Sequence, residues 1–324
     1  MAYRSRIFRP LFLLLVLAAA VVGVAPPALA GGPPLWRAEA GPTTFHFLGT
    51  FHLLTPEVEW INPEILAAFD ASDKMVLELS PEQQSPGLFA FLIAQKGIYK
   101  DGKTLKDEIG EEEYLRLVGQ ASELGFPESM LRNFKPWYAA VAMTVQFSQV
   151  HGFDPEYGVE SVLSQEAQDV GKPIIGLETA DEQLSALADL PMDIQVRMLS
   201  ETLDELASLP DIWGAMIVAW AGGDIETLEE LMFQFLNTEP QVYEQLITVR
   251  NRNWVGRINS LASKPGSYLI AVGVAHLIGP DSLLTMLAAE GYQIERIEAQ
   301  EELSEEPEQE PEEEPEEEPE EKTG

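Results

Sequence analysis

The 324-residue chain has no cysteine and only four histidines. Without thiols it can form no disulfide, use no thiolate nucleophile and build no Cys-ligated zinc or iron–sulfur site. Any metal must therefore be held by His, Asp or Glu. Basic residues are scarce as well, 20 Lys and Arg against 54 Asp and Glu, giving a formal net charge of −34. A surface this acidic argues against nucleic acid as a partner and disfavours anionic membrane surfaces. Several catalytic signatures are missing: there is no G-x-S-x-G elbow, no phosphate-binding P-loop and no H-E-x-x-H. No whole-repeat array is present either.

Both ends stand apart from the rest. Arg4, Arg6 and Arg9 precede an apolar run from Leu11 to Val24, and Ala28-Leu29-Ala30 precedes Gly31. This is the pattern of a signal peptide over residues 1–30. Its apolar run is short for a membrane span. The expectation is export, to the periplasm or beyond, with no stable span left after cleavage. Residues 301–324 are almost entirely Glu and Pro, with Pro307, Pro311, Pro315 and Pro319 four apart. Such a segment has no apolar surface to offset ordering entropy, so a disordered acidic tail of unknown partner is expected. The tail carries fourteen Glu and one Lys and the leader three Arg, so −24 of the −34 falls on residues 31–300.

Within residues 31–300 the pattern is α/β. Residues 35–38 and 44–48 flank a Glu39-Ala40-Gly41-Pro42 turn and predict a hairpin. Buried-strand runs follow at 74–80, 173–178, 267–272 and 292–297, separated by helical stretches at 63–70, 86–97, 103–125, 136–150 and 157–170. Residues 181–262 are mostly helical and predict a large layer or cap over a mixed central sheet. Gly222-Gly223 reads as a linker between two of its helices.

Two strands end alike. Thr44–Leu48 runs into Gly49-Thr50-Phe51-His52, and Ser267–Val272 into Gly273-Val274-Ala275-His276. Two strand–G-x-x-H units, more than 200 residues apart, thus hold half of the histidines. Glu78 and Glu178 close two other apolar runs. Strand ends of an open α/β sheet converge on one edge, so His52, Glu78, Glu178 and His276 form a candidate centre. Two imidazoles with one or two carboxylates suit a divalent transition metal such as Mn²⁺, Co²⁺ or Zn²⁺. The structural alternative is that each histidine hydrogen-bonds a backbone carbonyl and each glutamate caps a helix or pairs with an arginine. Arg250, in Arg250-Asn251-Arg252-Asn253-Trp254, reads either as an oxyanion clamp or as a surface ion pair. His46, of opposite parity in its strand, and His151, beside Gly152, read as structural.

The chain resembles the TraB/GumN family, which includes the Tiki proteins of animals. The resemblance spans nearly all of residues 35–297. It rests on Leu48-Gly49-Thr50-Phe51-His52, Val76-Leu77-Glu78 and Tyr157-Gly158-Val159-Glu160. It continues through Gly171-Lys172-Pro173, Gly176-Leu177-Glu178-Thr179, Glu182-Gln183, Arg250-Asn251 with Trp254, and Ala271–Gly279. The resemblance implies a fold related to erythromycin esterases and ChaN-like haem-binding lipoproteins. It also implies a Tiki-like metalloprotease centre formed here by His52, His276 and Glu78. One departure is Glu160, where members of the family often have Asp; its carboxylate reaches one methylene further. The expected function is an exported metal-dependent hydrolase of peptide or small-molecule substrates. The alternatives are a non-catalytic peptide- or haem-binding protein and a metal-free, esterase-like hydrolase.

Overall fold

The computed structural model describes residues 31–236 and 239–299. The leader and the acidic tail lie outside the described residues. Six strands form one mixed sheet: β1 (Leu35–Ala40), β2 (Thr43–Thr50), β3 (Lys74–Leu79), β4 (Ile174–Glu178), β5 (Gly266–Gly273) and β6 (Gln293–Ile297), in the order β4-β3-β5-β2-β1-β6. The predicted hairpin forms, with β1 antiparallel to β2 and Gly41 turning at a φ of 59°. Strands β4, β3, β5 and β2 are mutually parallel, and β6 pairs antiparallel with β1. Phe45, Phe47 and Leu48 of β2, Met75–Leu77 of β3 and Leu269–Val272 of β5 are almost fully buried. Such continuous apolar runs are what parallel strands covered on both faces require.

The helices used below are α1 (Pro63–Asp70), α2 (Pro86–Lys96), α3 (Glu111–Glu123), α4 (Pro136–Val150), α5 (Val159–Asp169), α6 (Ala180–Ala188), α7 (Met192–Glu205), α8 (Leu209–Ala221), α9 (Ile225–Leu236), α10 (Val249–Ala262) and α11 (Leu283–Ala289). Residues 103–125 do not form one helix. A short turn, Leu105–Ile109, is separated from α3 by Gly110 at a φ of 82°, a conformation that interrupts helical hydrogen bonding. Residues 157–170 likewise start later than expected, with Pro155–Tyr157 as a 3₁₀ turn before α5.

The helical layer draws on more than residues 181–262, because α4 packs along α7. Helix α8 anchors the layer to the sheet. Its Trp220 is fully buried, donates from Nε1 to the Gly49 carbonyl at 2.8 Å and packs its ring 5.0 Å from Phe51. Gly222-Gly223 forms the turn between α8 and α9, and Arg296 of β6 donates to the Gly223 carbonyl at 2.6 Å. No described helix is long and apolar enough to cross a membrane.

Candidate functional site

The four parallel strands deliver the predicted side chains to one edge of the sheet. His52 follows β2 by two residues, Glu78 lies near the end of β3, Glu178 ends β4, and His276 closes the 3₁₀ turn after β5. Strand β5 inserts between β3 and β2, so Glu78 faces both histidines. Its Oε1 lies 3.9 Å from His52 Nε2 and 4.0 Å from His276 Nε2. The two G-x-x-H units are not in register: Gly49 pairs with Val272, and Gly273 with Thr50.

Both motif glycines are places of close approach rather than turns, since each still belongs to its strand. A Cβ on Gly273 would lie 3.2 Å from Glu78 Oε1 and 3.3 Å from His52 Nε2. The bare backbone there lets the Gly273 N–H donate to Glu78 Oε1 at 2.9 Å. A Cβ on Gly49 would lie 2.7 Å from Val274 Cγ2, so the missing side chain lets the turn after β5 settle against β2.

Each histidine is oriented from behind. Glu160, in the first turn of α5, holds His52 Nδ1 at 2.8 Å and also accepts from the Thr50 hydroxyl. Asn251 Oδ1 holds His276 Nδ1 at 2.7 Å, while its amide nitrogen donates to the Asp281 carbonyl at 2.9 Å. Trp254 packs its ring 4.3 Å from that of His276. With Nδ1 held by an acceptor, each ring turns its Nε2 inward, where the neutral imidazole presents its lone pair. His276 is buried, whereas the His52 side chain is 37% exposed and forms the open side of the site.

Arg250 fills the other side. Its Nη2 donates to Glu78 Oε2 at 2.5 Å and Glu178 Oε1 at 2.6 Å, and its Nε to Glu178 Oε2 at 3.1 Å. Its Nη1 donates to the Leu246 carbonyl and to His276 Nε2, each at 3.0 Å. Gln183 bridges the two carboxylates, and Trp254 Nε1 donates to Glu178 Oε2 at 3.2 Å. Arg250 is therefore a buried clamp and not a surface ion pair. Glu178 is its anchor; the cap of α6 is supplied instead by Thr179 with Glu182.

The electrostatics follow from this packing. Burial opposes a charge on His52, but Glu160 and then Glu78 outweigh it and push the imidazole up to about 9. Burial and the Arg250 charge hold His276 well below its ordinary value. Burial would raise Glu78, yet Arg250, the two histidines and the Gly273 N–H hold it well below the carboxylate range. Glu178 goes the other way: burial raises it, and the Glu78 charge adds to the effect.

The donor set fits a divalent ion in kind, tautomer and charge. Three carboxylates (Glu78, Glu160 and Glu178) against one guanidinium leave two negative charges when both imidazoles are neutral. His52 Nε2, His276 Nε2 and Glu78 Oε1 would be the ligands. In spacing the set stands open: donors on one tetrahedral ion with ~2.1 Å bonds lie roughly 3.4 Å apart, short of the 3.9 and 4.0 Å found here. Among the described residues no three such side chains are close enough to grip an ion as they stand.

The remaining histidines are structural. His46 is buried within β2, and burial, then Arg37, lowers it. His151 holds the Phe147 carbonyl at 2.8 Å at the end of α4. Sequence reasoning assigned no role to Asn251, Trp254, Gln183 or Thr50. The available signal was the Arg250-Asn251…Trp254 spacing, which places three polar or aromatic groups on one helical face.

A protein-family model described as the TraB/PrgY/gumN family matches residues 34–296, the extent of the sheet and its helices. Two relatives named YbaP, both described as uncharacterized, are similar over most of their length. The one from Escherichia coli (strain K12) is 27% identical over 256 residues, covering 75% of this chain and 87% of the relative. The one from Shigella flexneri is 26% identical over 255 residues, with the same coverage. No solved structure matches. With a match that takes in all of the sheet but its last residue and every residue of the centre, the chain belongs to the TraB/PrgY/gumN family.

Proposed function

We propose that the chain is an exported, metal-dependent hydrolase of peptides or related small molecules. The observation that carries this reading is the convergence of the paired histidines on one carboxylate oxygen, at 3.9 and 4.0 Å. A divalent Mn, Co or Zn ion held by His52, His276 and Glu78 would lower the pKa of a bound water and polarise a carbonyl. The chain's own residues prepare that place. Glu160 and Asn251 each engage an Nδ1, so Nε2 is the ring atom that each histidine presents to the centre, and an ion at His52 would displace the proton that Glu160 favours there. Arg250 occupies Glu78 Oε2 and leaves Oε1 to the Gly273 N–H and the two imidazoles. The exposed edge of His52 marks the side from which substrate enters. Export rests on the pattern of residues 1–30.

The test is the metal content of the mature exported chain beside a His52→Ala/His276→Ala double variant that keeps the same acidic tail. One transition ion per wild-type chain, absent from the folded double variant and required for peptide cleavage, is the expected outcome. Cleavage that survives exhaustive chelation sinks the metal part.

One observation favours a second, metal-free reading. Arg250 Nη1 already occupies His276 Nε2, and His52 with Glu160 forms a base–carboxylate dyad at 2.8 Å. His52 Nε2 would then take the proton of the attacking water while Glu160 stabilises the imidazolium. That activity is indifferent to chelator and rises with pH as His52 loses its proton near 9.

A further inference from the structure

The geometry points to Arg250 as a tethered cation that competes with the metal for the His276 Nε2 lone pair, so that the ion binds only as Nη1 leaves it. This rests on the metal reading proposed above and adds to it a control on affinity.

Every donor of the guanidinium has a partner. Nε and Nη2 serve Glu178 and Glu78, and Nη1 serves the Leu246 carbonyl and His276 Nε2. The His276 contact differs from the rest in kind. It is made to the single lone pair of a neutral imidazole, because Nδ1 is committed to Asn251. One lone pair cannot serve an N–H and a metal together. The other contacts do not involve that lone pair, so Nη1 can leave it while Glu178, Leu246 and Trp254 still hold the side chain. The Arg250 guanidinium carbon lies 4.9 Å from the Trp254 ring, close enough for the indole face to support the cation.

The helix carrying Arg250 is built for this reach. Pro240–Tyr243, a π-turn over Glu244–Thr248 and α10 run on without a break, and the Val249 N–H bonds back to the Glu244 carbonyl, five residues away. Leu246, Ile247 and Thr248 of the π-turn are all buried, so the wide turn itself lies against the interior. Single π-turns of this kind recur at functional sites. Here the wide turn brings Arg250, Asn251 and Trp254 to the centre together, and Leu246, inside the turn, supplies the carbonyl that steadies Nη1.

The open spacing of the donors has the same cause. The guanidinium already neutralises Glu78 and engages His276, so nothing draws Glu78 Oε1 and the imidazoles closer. The resident cation keeps the donors organised and makes an ion displace a hydrogen bond to enter.

The test titrates Co²⁺ into the full mature chain, its Arg250→Met variant and a His276→Ala control, read by visible absorbance and by quenching of tryptophan fluorescence. Arg250→Met is expected to bind Co²⁺ about tenfold more tightly than wild type, the lower end of the range for changes around metal ligands. His276→Ala should lose most of the binding. Equal affinity of wild type and Arg250→Met, with His276→Ala impaired, overturns the competition and leaves the metal reading standing. No binding by wild type or Arg250→Met overturns both. If Arg250→Met does not fold, ¹⁵N-arginine spectra of wild type decide: Zn²⁺ should shift the Arg250 guanidinium resonances, and unshifted resonances in a loaded chain refute the competition.

Discussion

Asn251 has no exposure, yet both ends of its amide are used, Oδ1 for the His276 ring and Nδ2 for the Asp281 carbonyl. Asn251→Ala leaves a buried imidazole N–H without an acceptor, a loss of about 1–3 kcal/mol that denaturant melts will show as a lower midpoint. His52 offers a sign-definite pH test. Its pKa is raised from 6.5 to about 9, so its pairing with Glu160 stabilises the metal-free fold fully below pH 6.5 and is lost as pH rises through 9. The melting temperature of chelated protein should decline across that window, and Glu160→Gln should flatten the decline. The effect is modest because His52 is partly open to water. Arg250 sits at the other extreme. Its removal from the metal-free chain strands Glu78 and Glu178 together, at a cost of about 3–5 kcal/mol.

Elements set the distances between these residues, and here sequence reading reached a definite limit. The strands were legible because their apolar runs are bounded by glycine and proline, and the hairpin because its turn is only two residues long. The echo of strand–G-x-x-H was legible for the same local reason. What could not be read was strand order. The place of β5 between β2 and β3 depends on pairings across roughly two hundred residues, and it alone puts Glu78 within reach of both histidines. The role of Glu160 was hidden likewise, since α5 meets β2 only in three dimensions. Gly273 offers a test at the scale of elements. Gly273→Ala adds a methyl whose nearest neighbours are Glu78 Oε1 and the His52 ring. Hydrolysis should fall at least about tenfold, because small displacements of reacting groups are costly, while circular dichroism and the thermal midpoint change little.

Across the whole molecule charge outweighs every other feature of the composition. Residues 31–300 carry −24, and the few cations are spent in local pairs such as Arg116 with Asp204 and Arg197 with Glu239. Self-repulsion of this size destabilises a compact state and is screened by salt, whose Debye length shrinks from about 10 Å at 0.1 M to about 3 Å at 1 M. The thermal midpoint should therefore rise between 0.01 and 1 M NaCl; a midpoint that falls or stays level would show that local pairs outweigh the net charge. The pairing of β2 with β5 carries a consequence for timing. One histidine is made early and the other late, and the clamp arginine only shortly before the second. A chain still emerging holds His52 and Glu78 before Arg250 and His276 have been made. The hydrolase proposed here would thus be silent for nearly the whole of its own synthesis, and become competent only when its last parallel strand is in place.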